Sequence, residues 1–379
     1  MRVTLDATPI TPNPSGVGFY TGKLLEELTA TAALTDLEVE PVYQIRLKQA
    51  LSGKFMVPAP LRHYSNVRYV PMPVRLTNLF IRHPRLCLPF VERAFGSPSI
   101  YHGTNCSVLP FRKCRNVLTL YDLNFIKYPQ FCTDTVKAYA DSVRRCLAWT
   151  DLVLAISEST KRDLVTLLGF PADRVKVTPL ASHYGPHYKS ATTQVPDYDL
   201  TRPYILFVST IEPRKNLVRL IEAYEYLKDT RKIPHDLVLI GQKGWLFEPI
   251  FDRIARSSHR ASIRYLSYLP NDSVAAFYQR ADVFVFPSHY EGFGLPVLEA
   301  MTLGAPVVCA NNSSLPEVAG DAAVMVDADS ALEIADGIRR VIENPTFRRE
   351  LIQRGHAQAA KFSWQQTAKE TFKAYKALN

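Results

Sequence analysis

Short apolar runs alternate along this chain with longer stretches in which apolar side chains recur every three or four positions. The runs fit strands buried on both faces of a parallel sheet, and the longer stretches fit the amphipathic helices that cover such a sheet. In the first half, strands are predicted at 3–6, 67–71, 99–102, 117–121, 152–156 and 175–179, with helices at 17–31, 133–149 and 159–168. The stretch 72–95, punctuated by Pro73, Pro84 and Pro89, fits neither pattern. A second series places strands at 204–209, 236–240, 263–268, 283–287, 306–309 and 323–326. Its clearest helix is 216–228, where Leu217, Leu220, Ile221, Tyr224 and Leu227 fall on one face. Between the series, 183–203 holds Gly185, Pro186, Ser190, Thr192, Thr193, Pro196 and Pro203, the composition of a linker. The expectation is α/β: two doubly wound parallel-sheet domains, 1–185 and 204–363, joined by a linker at 186–203 and facing each other across a cleft. A last helix, 364–379, follows the final strand.

Composition narrows the class. With 379 residues, 47% of them apolar, the chain has ample material for two packed cores and is not a disordered polymer. No apolar run is long enough to span a bilayer, and the first residues read as a strand, not a secretory leader. Six cysteines form no CxxC pair and are too sparse for a disulfide framework, so a cytoplasmic protein is expected. The net charge of +9 is unevenly spread. Residues 1–190 carry 23 Lys and Arg against 14 Asp and Glu, whereas 191–379 carry 22 of each. Twelve of the basic residues, and Glu92 alone among acids, lie in 41–115. An anionic partner for that half is implied: membrane lipid, nucleic acid or a phosphorylated substrate.

In open parallel sheets, ligands bind on the loops beyond the carboxyl ends of the strands. Two such loops stand out. In Ser209-Thr210-Ile211-Glu212-Pro213-Arg214-Lys215-Asn216, two cations precede a helix start, a combination suited to a diphosphate. A solvated pair followed by Asn216 as helix cap is the alternative. In Ser288-His289-Tyr290-Glu291-Gly292-Phe293-Gly294-Leu295-Pro296, an apolar strand runs into glycines that permit close backbone approach, with N–H groups near Leu295 available to phosphate oxygens. Glu291 on the loop and Glu299 in the helix suit sugar hydroxyls, since each carboxylate oxygen accepts more than one hydrogen bond. Helix-dipole stabilisation of Glu299 and plain exposure of Glu291 are the structural alternatives.

The spacing of Glu291 and Glu299 within Glu-Gly-Phe-Gly-Leu-Pro-Val-Leu-Glu-Ala-Met resembles the signature of the family 4 (group 1) retaining glycosyltransferases. Glu212-Pro213-Arg214-Lys215-Asn216 resembles that family's phosphate loop, and Gly16-Val17-Gly18 its glycine loop. The similarity extends over nearly the whole chain, through Ala155-Ile156-Ser157-Glu158-Ser159-Thr160-Lys161 and Leu315-Pro316-Glu317-Val318. It implies a GT-B fold of two Rossmann-like domains, with a nucleotide-sugar donor held in the second, an acceptor mainly in the first, and the last helix packing back on the first. By resemblance, Lys215 and Arg214 neutralise the donor diphosphate, Glu291 holds the sugar and Glu299 the ribose. Backbone at Phe293, Gly294 and Leu295 reinforces the phosphates, Leu269 meets the base, and Gly16, Gly18, Tyr121 and Asp122 complete the donor site. No metal or other cofactor is expected, the GDP- or UDP-linked sugar being a co-substrate. Resemblance to mannosyltransferases of surface polysaccharide assembly makes mannose from GDP-mannose the first donor, with a glycan or lipid-diphosphate-linked acceptor.

One departure concerns Tyr121-Asp122, where the family often carries His-Asp; a neutral, larger side chain then meets the sugar. His102, at another strand end, reads either as a cleft residue or as a core histidine. Asp327-Ala328-Asp329 and Asp197-Tyr198-Asp199 look like a metal-binding Asp-x-Asp but lie on a late loop and in the linker, and read as loop and capping residues. Within 41–115, Phe55, Tyr64, Leu79, Phe80, Ile81 and Leu86 alternate with Arg62, Arg75, Arg82 and Arg85, as in an element at a lipid interface, so peripheral attachment to the inner face of the membrane is expected. No nucleic-acid recognition motif accompanies the charge. Three rivals remain: a nucleotide-sugar epimerase of the same fold, a glycoside hydrolase, and a non-catalytic module binding an anionic polymer.

Overall fold

The computed structural model describes residues 1–11, 16–45, 58–87, 89–195 and 198–378. Phe55, Pro196 and Asp197, and the side chain of Arg75, lie outside the described residues. The chain forms two compact units: Met1–Lys127, Asp134–Leu180 and Trp364–Asn379 in the first, Tyr128–Thr133 and Ala181–Ser363 in the second. Residues 181–185, assigned to the first domain from sequence, thus cluster with the second unit.

In the first unit, β1 (Arg2–Asp6), β2 (Glu38–Gln44), β3 (Arg68–Val70), β4 (Ile100–Gly103), β5 (Arg115–Leu120), β6 (Leu152–Ala155) and β7 (Val175–Val177) form one parallel sheet in the order β3-β2-β1-β4-β5-β6-β7. β4 and β6 are buried along their whole length, and β6, Leu-Val-Leu-Ala, accordingly reads as an unbroken apolar run. β2 is absent from the predicted series because Pro41 stands in its middle, opposite Leu5 of β1, and proline ordinarily demotes a strand. Its Glu40 accepts from Arg2 and from Arg68 (2.6 Å), so two of the basic residues are spent on an internal ion pair. The proline-punctuated stretch 72–95 resolves into two short helices, Val74–Arg82 and Pro89–Ala94. The final helix, Trp364–Lys376, belongs to this unit: Trp364 packs against Phe19 and Tyr20, and Thr367 Oγ1 donates to the Pro179 carbonyl (2.6 Å).

In the second unit, β8 (Tyr204–Val208), β9 (Asp236–Ile240), β10 (Ile263–Leu266), β11 (Val283–Phe286), β12 (Val307–Ala310) and β13 (Ala323–Val326) form a parallel sheet in the order β10-β9-β8-β11-β12-β13. The order reverses between β8 and β11, so the crevice of this doubly wound sheet opens at their carboxyl ends. The linker is not a free tether within this unit. Asp272, at the start of the helix Asn271–Arg280, accepts from Thr192 N (2.9 Å), Thr192 Oγ1 (2.6 Å) and Tyr188 OH (2.7 Å). These bonds hold its carboxyl down at about 2.

Candidate active site

The crevice of the second unit gathers the two loops singled out above. After β8, a single 3-10 turn, Pro213–Lys215, carries the cations, and Asn216 follows in the left-handed region at φ 61°. Asn216 does not cap the helix Leu217–Arg231 that it precedes. Its Nδ2 donates instead to the Pro287 carbonyl (3.0 Å) and the Ala328 carbonyl (2.6 Å), tying the loop after β8 to those after β11 and β13. From that anchored turn, Lys215 Nζ donates to Glu291 Oε1 (2.6 Å), and Arg214 Nη1 donates to Glu291 Oε2 (3.1 Å) and the Tyr290 carbonyl (2.7 Å). Arg214 also reaches Glu212 Oε1 through Nε (3.1 Å) and Nη2 (2.7 Å). The Glu291 backbone is fixed in turn by Ser313 Oγ, which accepts from its N–H (3.0 Å), and by Ser314 Oγ, which donates to its carbonyl (2.9 Å).

The four charged side chains are nearly removed from solvent: 3% exposed for Glu212, 12% for Arg214, 6% for Lys215 and 9% for Glu291. Burial alone would raise the Glu291 carboxyl, but the Lys215 ammonium and then the Arg214 guanidinium more than offset it and hold the group below the usual carboxylate range. Burial and the neighbouring Arg214 charge lower the Lys215 ammonium against the pull of Glu291 and Glu212. Two cations and two carboxylates make a cluster of zero formal charge.

Helix ends add to it. Gly294, at φ 102°, precedes the helix Leu295–Leu303 with no side-chain cap, and neither does a side chain cap Leu217–Arg231. Ser157 caps its helix by accepting from Thr160 N, Ser330 from Glu333 N and Asn344 from Phe347 N, whereas Val74–Arg82, Glu248–Arg256, Asn271–Arg280 and Leu315–Ala319 share the lack of a side-chain cap. What distinguishes the starts of Leu217–Arg231 and Leu295–Leu303 is their place at the crevice beside the paired cations, where free N–H groups suit anion oxygens. Phe293 is buried against Phe362, and Leu295 is half-buried. Glu299, one turn further, is half-buried with His183 Nδ1 3.7 Å from Oε1; burial pushes its carboxyl up to about 8, the Tyr278 hydroxyl opposing. Leu269 is half-buried between β10 and the next helix.

The remaining predicted residues belong to the first unit. Gly16 is exposed at the start of the helix Gly16–Ala32 and Gly18 is buried in its first turn. Tyr121 turns its hydroxyl onto the Thr104 carbonyl (2.6 Å), and Asp122 Oδ1 accepts from Asn124 N (3.1 Å) in a local turn. The cleft reading of His102 is corrected. His102 is fully buried, with Nδ1 on the Tyr375 hydroxyl (2.6 Å) and Nε2 on Thr119 Oγ1 (2.7 Å), and Thr119 Oγ1 also meets the Tyr20 hydroxyl (3.1 Å). It is a core histidine whose burial drops its pKa to about 3. Asp327 and Asp329 serve the turn before the helix Ala331–Ile342: Asp327 Oδ1 accepts from Asp329 N (2.9 Å). Sequence reasoning missed Glu212 and Asn216 as working parts. Both lie in the quoted loop, but their roles depend on partners brought by other strands.

Two parallel α/β units, with paired cations and carboxylates clustered at the crevice of the second, have the architecture of a GT-B glycosyltransferase. The family model for glycosyl transferases group 1 matches residues 190–358. Across its full length the chain is 32% identical to the O-antigen chain mannosyltransferase B of Escherichia coli, covering 100% of both proteins. The chain belongs to the group 1 glycosyltransferases and is an enzyme of that family. Its fold is that of sucrose-phosphate synthase from Thermosynechococcus elongatus (TM-score 0.75, 18% identity, 100% and 99% of the two chains). It is equally that of Anabaena HepE solved with UDP and glucose (TM-score 0.67, 16% identity, 99% of each chain).

Proposed function

We propose that the enzyme transfers mannose from GDP-mannose, with retention of anomeric configuration, to a glycan or lipid-diphosphate-linked acceptor in surface polysaccharide assembly. The observation that carries this reading is the convergence of Arg214, Lys215 and Glu291 with two uncapped helix ends at the crevice of the second unit. The E. coli relative named a mannosyltransferase supports the choice of sugar. Breaking the sugar–diphosphate bond leaves negative charge on the departing nucleotide. Lys215, Arg214 and the N–H groups at Gly294 and Leu295 are fixed where that charge develops, and no further cation is required of the protein. Among the described residues Lys215 Nζ donates to Glu291, and an ammonium carries three donors, so oxygens of a diphosphate are taken up by the other two. Glu291 then turns to the sugar hydroxyls and Glu299 to the ribose, while the acceptor attacks on the face that the diphosphate leaves.

For a lipid-linked acceptor, the reading makes the enzyme cytoplasmic and peripheral on the inner membrane face. No helix among the described residues is long and apolar enough to cross a membrane. Within the basic segment, Ile81 is buried and Phe80 half-buried, which removes them from the expected interface. Leu76, Leu79, Leu86 and Phe90 are instead exposed, at 39% to 67%, among exposed Arg82, Arg85 and Arg93. Apolar insertion flanked by cations is what an anionic bilayer surface binds. Co-sedimentation with phosphatidylglycerol vesicles at low and high salt tests this; no binding, or binding insensitive to salt, rejects it. For the donor, thermal shift with GDP, UDP, ADP and their sugars is expected to show the largest rise with the guanine pair. A larger rise with another base overturns GDP-mannose, and no rise with any nucleotide overturns the donor site itself.

A further inference from the structure

Residues 128–133 leave the first unit at Lys127, join the second, and return to the first at Asp134. Within the second unit this short strap makes specific contacts. The Phe131 ring stacks on His289 (centroids 5.2 Å, planes 16° apart), and Tyr128 stacks on Phe131 (6.0 Å, 15°) and lies tilted against Tyr290 (5.6 Å). From the other side, Trp245 Nε1 donates to the Phe131 carbonyl (2.7 Å). Trp245 follows β9, whereas His289 and Tyr290 follow β11. Those two strands flank β8 in the sheet, so Phe131 bridges the loops on either side of the one that carries Arg214 and Lys215.

His289 under Phe131, and Tyr290 beside Tyr128, are both tied to the charged cluster. His289 N–H donates to the Arg214 carbonyl (2.9 Å), the Tyr290 carbonyl accepts from Arg214 Nη1 (2.7 Å), and Glu291 is the next residue. We propose that Phe131 is a positioning residue for the transfer reaction: stacked on His289 and held by Trp245, it fixes the loop that presents Glu291 to Arg214 and Lys215. The proposal rests on the donor-site reading given above. It needs no contact between Phe131 and substrate. Loss of the ring lets the 288–291 loop drift relative to the 3-10 turn, and a shift of about 1 Å in a reacting constellation costs up to about a hundredfold in rate. Nucleotide affinity changes little, because Lys215, Arg214 and both helix ends are all retained.

Four variants test this, each read for GDP release from GDP-mannose with water as acceptor, for GDP affinity by calorimetry, and for the urea midpoint. Phe131→Ala is expected to lower kcat by about tenfold or more while the Kd for GDP stays within about threefold. Phe131→Tyr, which keeps the ring, restores kcat to within about threefold of wild type. Adding His289→Ala to Phe131→Ala produces little further loss, because both break the same stack. Wild-type kcat in Phe131→Ala, or multiplying losses in the double variant, overturns the inference; so does a failure of Phe131→Tyr to rescue when its urea midpoint is native. Lys215→Met separates the two readings. If it abolishes GDP release while Phe131→Ala does not, the positioning role alone falls; if Lys215→Met leaves both GDP release and GDP affinity unchanged, the donor-site reading falls.

Discussion

Replacing Lys215 by methionine removes one charge from a buried neutral cluster, and the structure fixes what should follow. Lys215 and Glu291 are 6% and 9% exposed and joined at 2.6 Å. Breaking a buried ion pair from one side ordinarily costs about 3–5 kcal/mol, since the remaining charge keeps its desolvation penalty. Glu291 retains Arg214 at 3.1 Å, so the low end, about 3 kcal/mol, is expected. The partner variant Lys215→Met/Glu291→Gln removes both charges and leaves Arg214 paired with Glu212, at 2.7 Å, and bonded to the Tyr290 carbonyl. Its stability should return to within about 1 kcal/mol of wild type. Activity should not return with it. An electrostatic donor to a leaving group is worth about a hundredfold to a thousandfold in kcat, and both variants lack the one at Lys215. Urea unfolding and donor turnover, measured on wild type and both variants, give two independent readouts. Recovery of turnover together with stability in the double variant would make Lys215 a structural residue and refute the catalytic assignment. An unaltered urea midpoint in Lys215→Met would refute the account of the cluster as a coupled buried set.

Three further outcomes follow from burial and backbone. His102 has a folded pKa of about 3 against 6.5 for the free side chain, so unfolding takes up a proton between those values. The stability it contributes is complete above pH 6.5 and is lost as pH falls toward 3, at about 1.4 kcal/mol per pH unit; His102→Gln should flatten the acid limb of a urea-midpoint profile by that one proton. Glu299 has the opposite sign. Its folded pKa of about 8 lies above the 4.5 of the free side chain, so the folded state binds the extra proton and stability declines as pH rises through that window. Glu299→Gln should gain on wild type from pH 5 to 8 and hold a constant margin above. Gly294→Ala places a Cβ at φ 102°, 2.7 Å from Leu315 Cδ2. Leu315 is a flexible neighbour, so backbone strain dominates, about 1–2 kcal/mol, readable by urea unfolding.

Most of the sheet was legible because strands buried on both faces are continuous apolar runs, as in the Val-Phe-Val-Phe of β11. β2 was not, since its alternating glutamates and Pro41 make sense only once Arg2 and Arg68 are seen to pair with Glu40 across neighbouring strands. The two loops of the site were legible as strand-end loops with the right chemistry. Their adjacency came from the family resemblance alone, because the residue pattern does not state that β11 lies beside β8 with β9 on the other side. His102 shows the same limit from the other direction. Its strand-end position suggested a ligand, but the partner that satisfies Nδ1 is Tyr375, 273 residues away on the last helix. In the basic stretch, charge and apolar residues alternate as read, but folding buries Ile81 and exposes Leu76 and Phe90, which the alternation alone does not state.

The division of charge along the chain acquires a physical sense from the cluster. A site for a polyanion could have been built from unpaired cations, but buried cations without partners carry a desolvation penalty of several kcal/mol each. Here Glu212 and Glu291 offset Arg214 and Lys215, in keeping with a second half that balances at 22 basic and 22 acidic residues. On the proposed reading, a donor diphosphate competes with Glu291 for the same two cations. That competition is useful on this reading, because the carboxylate displaced from Lys215 is the one that then meets the sugar. It also sets the salt dependence. Exposed cations around Leu76–Phe90 are screened by salt, whereas the buried cluster is screened far less. Vesicle binding should therefore fall steeply with ionic strength while GDP affinity changes little. Equal salt sensitivity of the two would mean that the nucleotide is held by surface charge and not by Lys215 and Arg214.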